Sequence, residues 1–264
     1  MKRFVLFFSI ALLLVAQPTL AAHAQTATPT TSIADMQQQY SQLLNSYRNS
    51  EEQFSIAAQQ YYQLKTLASQ RDAVTAARQV MLDRVDTLLI YIQILKTTLD
   101  TNPGIELTRK SALESQIALL TDMLNRHRAR VEIATDRTTI EQEATFMDTQ
   151  TPTILADCYE ALSLIRIGAV QAAIDQLAIS QDTLNTYIAS APISETVRTD
   201  KQRGSDQISS DLSTMHDTMT QVLAKYDQSI DHFDASSFHQ IQTQLTPLFT
   251  LLNQNVEYIQ ELSR

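Results

Sequence analysis

The chain has 264 residues, of which 44% are hydrophobic and 19% charged, with 3 Gly, 6 Pro, 1 Cys and no Trp. So little Gly and Pro excludes a turn-rich β sandwich or barrel, and also the glycine loops that cradle phosphate in α/β enzymes. Lys and Arg number 20 against 29 Asp and Glu, and the resulting charge of −9 repels nucleic acid and anionic surfaces. The class left is all-α.

Met1, Lys2 and Arg3 precede an apolar run over residues 4–16, which is followed by Pro18 and the small-residue end Ala22-His23-Ala24. A basic start, a short apolar core and an A-x-A end predict a secretory signal peptide over residues 1–24. The competing reading is a membrane anchor formed by uncleaved residues 4–22. The 13 residues of the run, however, fall short of the roughly 20 that a helix needs to cross hydrocarbon. The most apolar later stretch, 88–95, is flanked by Asp83, Arg84, Asp86 and Lys96, so no further span is expected. The predicted location is therefore the periplasm or the cell exterior. Cleavage removes Lys2 and Arg3 and moves the charge from −9 to −11. Residues 25–32 are a Thr-rich flexible leader.

From residue 33 onward the chain has helical periodicity. In the first segment, 33–68, a seam recurs at alternating steps of three and four through Ile33, Met36, Tyr40, Leu43, Tyr47, Ser50, Phe54, Ala57, Tyr61, Leu64 and Ala68. Such a stripe packs as a coiled-coil seam, and its rings are read as core with wet hydroxyls. A turn is expected near 68–71, because one helix over 32–101 would be about 105 Å long. The second segment, 71–99, is apolar over a wide arc and predicts two neighbours. Asn102-Pro103-Gly104 is a turn, and a third segment covers 107–148.

Thr151-Pro152 reads as a helix start, which opens a fourth segment to Ser190; small residues at Gly168 and Ala169 allow a close crossing there. In that segment Cys158 shares a register with Leu155, Leu162 and Ile165, which makes it a buried hydrophobe; an intermolecular disulfide is the sharper alternative. The fifth segment, 195–233, begins with a polar stretch, 198–206, expected to fray. Asp234 to Ser237 offers caps, and in the sixth segment, 237–262, Pro247 is expected to kink the helix or restart it with Thr246 as cap.

The architecture predicted is an elongated antiparallel helical bundle, with an N-terminal three-helix unit over 33–150 and a C-terminal one over 151–264. This layout resembles tandem spectrin-like bundles; the alternative is one six-helix bundle with a shared core. Residues 64–99 followed by Asn102-Pro103-Gly104-Ile105 also resemble a segment of uncharacterised exported helical proteins of small-genome bacteria, a resemblance that implies export and brings no activity with it.

The motifs of common chemistries are missing. Glycines at 104, 168 and 204 alone cannot build G-x-S-x-G or a nucleotide loop, there is no H-E-x-x-H, and no His has the Glu three residues before it that di-iron bundles use. Asp227, Asp231, His232, Asp234 and His239 are the best metal candidates, with Asp231, His232 and His239 as the ligands; their plainer reading is a polar helix end. Arg126, His127, Arg128 and Arg130 form the one basic cluster. It is either a docking surface for an anionic envelope polymer or acidic partner, or a solvated face paired with Asp122, Glu132 and Asp136.

The expected function is an exported, non-enzymatic structural or interaction module of the cell envelope without a cofactor, whose partner is an envelope protein or a second copy. Self-association is expected through residues such as Ile56 and Tyr62. The alternative is a binding protein that holds an apolar ligand between helices, suggested by the wide apolar arc of the second segment and by Met81, Met123, Met215 and Met219.

Overall fold

The computed structural model describes residues 32–263. The signal peptide, the alternative anchor over 4–22 and all of the leader but Ser32 lie outside the described residues. Among these there are six α-helices and no strand: α1 Ile33–Leu64, α2 Leu67–Thr101, α3 Leu107–Ile133, α4 Arg137–Ser190, α5 Glu195–Ser229 and α6 Ala235–Leu262, with a single 3-10 turn Ile230–His232 after α5. The all-α expectation holds.

The helix ends are set by short side-chain caps. The first turn comes a few residues earlier than predicted. Lys65 adopts the left-handed conformation (φ 52°) and donates its N–H to the Tyr61 carbonyl, which stops α1. Thr66 then caps α2 by accepting from Ser69 N at 3.1 Å, and Ser69 returns the bond in a capping box. The third predicted segment, 107–148, is two helices. Asp136 accepts from Thr139 N at 3.0 Å and from its hydroxyl at 2.7 Å, which ends the run and starts α4.

Pro152, expected to open a helix, lies inside α4 instead. Its ring is on an exposed face. The adjacent Thr151 hydroxyl donates to the Met147 carbonyl at 2.8 Å and accepts from Arg84 of α2 at 3.1 Å. Burial of Met147, Ile154, Cys158 and Ala161 on both sides of the proline outweighs its missing backbone bond. Likewise α6 runs through Pro247, and Thr246 bonds back to the Gln242 carbonyl rather than capping a new helix. The stretch 198–206 does not fray: Arg198 closes the C-terminus of α4 by donating to the carbonyls of Ala189 and Ala191 at 2.9 and 3.1 Å, and Gly204 lies under Leu262 and Tyr258 of α6.

Cross-helix bonds give the directions. α1 runs antiparallel to α2, with Met36 set against Ile90 and Ile94 and Tyr40 against Tyr91 at 5.7 Å between ring centroids. Arg84–Thr151 and Asn102 Nδ2 to the Ile165 carbonyl, 2.8 Å, place α2 and α4 side by side and parallel. Arg128–Asp86 and Lys110 to the Asp100 carbonyl set α3 antiparallel to α2. Farther along α4, Tyr226–Glu160 and Gln181 to the Ser205 carbonyl bring in α5, while Tyr159–Phe238 brings in α6.

Thus α4 is shared. Its 54 residues pack on α2 and α3 in the first part and on α5 and α6 in the second, and no backbone break occurs at the boundary expected between 150 and 151. The described residues form one compact unit. The best stretch of α4 also has the length and apolarity of a membrane span, with a mean hydropathy of 1.4, which the sequence reading missed. Contact with four other helices accounts for that apolarity in terms of helix packing.

Gly168 permits the predicted close approach, and the partner is the turn after α2. A Cβ on Gly104 would lie 2.0 Å from the Gly168 carbonyl oxygen and 2.7 Å from Ala172 N. The turn Asn102-Pro103-Gly104 is pressed against the backbone of α4 at this point.

Candidate functional site

The basic cluster on α3 is divided among three environments. Arg126 is exposed and pairs with Asp122 at 2.7 Å. Arg128 reaches Asp86 of α2 at 2.7 Å and Glu132 at 3.4 Å. Arg130 donates through Nε to Glu143 Oε1 of α4 at 2.7 Å, and its guanidinium lies 4.7 Å from the Phe146 ring centre. Two of the three acids named from sequence are therefore the partners, while Asp136 is the cap of α4. Arg128 and Arg130 tie α3 to α2 and α4; Arg126 alone stays at the free surface with its intrahelical partner.

His127, the fourth member, is inside. It is 0% exposed, stacks on Phe146 at 5.5 Å, and its Nδ1 lies 2.8 Å from Glu143 Oε2. Its Nε2 is buried and bonds to none of the described residues. Burial pulls the imidazole below its ordinary value, against the raising pull of Glu143. For Glu143 burial acts upward, but the bonds from Arg130 and His127 outweigh it and hold the carboxyl below its usual range. A signal for this core position was present in the sequence: Leu120, Leu124, His127 and Val131 follow the seam spacing of four, three and four.

The metal candidates do not assemble. Asp231, His232 and His239 are each exposed. Asp227 is gripped by Arg109 of α3 through two bonds of 2.9 and 2.7 Å, and Asp234 caps α6 by accepting from Ser237 N at 2.7 Å. Among the described residues no three His, Cys, Asp or Glu side chains come together as ligands. Local capping and a cross-helix ion pair use the carboxylates that the sequence had offered to a cation.

Further along α4, Glu160 is 5% exposed and accepts from the Tyr226 hydroxyl at 3.0 Å. Burial raises its carboxyl, against the lowering effect of that bond, and burial pushes Asp157, one turn earlier, up to about 6. Sequence gave no hint of the Glu160–Tyr226 or Arg109–Asp227 pairs, whose partners lie 66 and 118 residues apart. Cys158 is 1% exposed and burial pushes its thiol up to about 12, so it is neither accessible nor reactive in the folded chain. The ring ladder of α1 is only half-buried, with Tyr47 donating to Glu51 at 2.8 Å and Tyr61 accepting from Arg137 at 3.3 Å.

Two surface features stand out. An open groove of about 280 Å³ between α5 and α6 is lined by Asp211, Gln254, Asn255, Glu257, Tyr258 and Glu261. The Tyr61–Arg137 bond places the α1–α2 turn and the α3–α4 turn at the same end of the bundle. At this end Leu64, Leu67 and Ile133 are 63%, 75% and 77% exposed.

No family model, curated protein or solved structure matches the chain.

Proposed function

We propose that the chain is an exported, non-enzymatic helical module of the bacterial cell envelope that works by docking, either on an envelope protein or on a second copy of itself. The observation that carries this reading is the bundle end where Leu64, Leu67 and Ile133 are left largely in water. Large apolar groups gathered at one place on a surface are a feature of contact sites. The cross-helix ion pairs support the same reading, because they hold helices together: Arg128 with Asp86, Arg130 with Glu143, Arg109 with Asp227. The helix order fits two spectrin-like three-helix layouts joined through one long helix, α4, with α1 laid along the first. The signal-peptide pattern read in the sequence over residues 1–24 supports the envelope as the place of work. The alternative, an apolar ligand held between helices, has no comparable support, since the groove between α5 and α6 is lined by carboxylates, amides and one tyrosine.

The test is a double substitution, Leu67→Glu with Ile133→Glu, compared with the parent in the mature exported chain. Both side chains are exposed, so stability should change by no more than about 0.5 kcal/mol. The parent is expected to sediment in a complex larger than a monomer in envelope extracts, and the variant is expected to leave it. A parent that sediments as a free monomer, or a folded variant that keeps its place in the complex, defeats the reading.

A further inference from the structure

His127 occupies a closed site where three helices meet, and every charged group that faces it is identifiable. From α2 comes Arg84, from its own α3 Arg130, and from α4 Glu143; the Phe146 ring covers one face. Glu143 is fully engaged, with one oxygen accepting from Arg130 and the other bonded to His127. In the neutral ring Nδ1 carries the proton given to Glu143, which leaves Nε2 with only its lone pair. That nitrogen is buried and has no hydrogen-bond partner among the described residues.

We infer that this cluster is an acid-sensitive latch on the α3–α4 hairpin: closed when His127 is neutral, and loosened when the ring takes a second proton. Protonation places an N–H at Nε2 where nothing accepts it, and adds a positive charge beside Arg130 and Arg84 with a single carboxylate, already shared, to answer all of them. Opened, the imidazole is hydrated and titrates like any free histidine, near 6.5. The open form therefore binds more protons than the closed one as pH falls through that value, and closure weakens in the same interval. Burial of the ring supports this sign, since it disfavours the charged form in the closed state. Glu143 adds to the effect only at lower pH, where it begins to take up a proton itself. The latch lies on the element that carries Ile133 to the exposed end, about 9 Å further along α3 at the helical rise. The inference does not depend on the docking reading, because it concerns the isolated chain.

Hydrogen exchange of the mature chain at pH 7.5 and 5.5, corrected for the intrinsic pH dependence of exchange, tests it. The amides of residues 120–147 are expected to lose up to about tenfold in protection at the lower pH, the limit set by one linked proton over this interval. Those of residues 170–190, which pack on α5, are expected to keep theirs. His127→Gln, which keeps a donor toward Glu143 and cannot take up a proton, is expected to remove the difference. Direct titration of the His127 ring by NMR in the parent chain gives a second reading that does not require the variant to fold, with a midpoint below that of free imidazole expected. Unchanged protection over 120–147, an equal loss over both regions, a variant that keeps the loss, or a ring that titrates at or above the free value would each overturn the latch.

Discussion

Asp157 shows how a single group on α4 sets a pH dependence. Burial raises its carboxyl to about 6, so the folded state disfavours the charged form. The unfolded carboxyl ionises near 3.9. Above about 6 the folded chain carries the full penalty, and as pH falls toward 4 the penalty vanishes because the native state takes up its proton first. Asp157→Asn is therefore expected to stabilise the chain at pH 7 by about 1 kcal/mol, a figure reduced for the solvent that reaches a half-buried side chain. Parallel thermal melts of parent and variant at pH 7 and pH 4 check this, with a gain expected at the first and none at the second. The sign is opposite to that of His127, so the two parts of α4 respond to acid in opposite directions: contacts with α3 weaken while the burial penalty at Asp157, near Glu160, is relieved.

Among elements, the turn between α2 and α3 is the most tightly fitted. Asn102 donates to the Ile165 carbonyl at 2.8 Å and accepts from Gly104 N at 3.2 Å, which fixes the turn against α4. A methyl on Gly104 would meet backbone atoms of Gly168 and Ala172, which cannot give way without moving the helix, whereas a methyl on Gly168 would first meet the flexible Ile105 side chain at 2.3 Å and Asn102 Oδ1 at 2.8 Å. Gly104→Ala is thus expected to destabilise by about 2–3 kcal/mol, the range of overpacked cores, and Gly168→Ala by less, because the helix propensity gained by α4 offsets part of the clash. Urea midpoints at constant m-value for the two variants give the comparison. An equal loss would mean that the turn and α4 move apart together.

At the scale of the molecule, α4 joins the helices that precede it to those that follow. Leu95 and Leu99 of α2 are buried, and the Asn102–Ile165 bond and the Gly104–Gly168 approach show that α2 runs beside α4 well past residue 150. A fragment of residues 33–150 keeps α1, α2 and α3 but uncovers this surface, and is expected to lack a cooperative thermal transition. A fragment of residues 33–170, which restores the part of α4 under α2, is expected to melt cooperatively. Circular dichroism melts of both fragments decide whether the shared helix is needed for the first group to fold.

Much of this was legible from composition and periodicity alone. Apolar steps of three and four established the helical class, since that spacing buries one stripe only on a helix, and the register of Cys158 with its apolar neighbours announced its burial. Pro152 misled, and at Pro247 the helix does not restart. Whether a proline ends a helix depends on what the flanking residues bury, and at Pro152 and Pro247 packing on other helices outweighs the lost bond. Capping at Thr66 and Asp136 was overlooked because Thr and Asp are common in this chain and only their local geometry separates a cap from a solvated side chain. The candidate site was the least legible part. Which arginine meets which acid across α2, α3, α4 and α5 depends on helix rotation and separation, and these are decided when distant seams close on each other rather than by any local pattern.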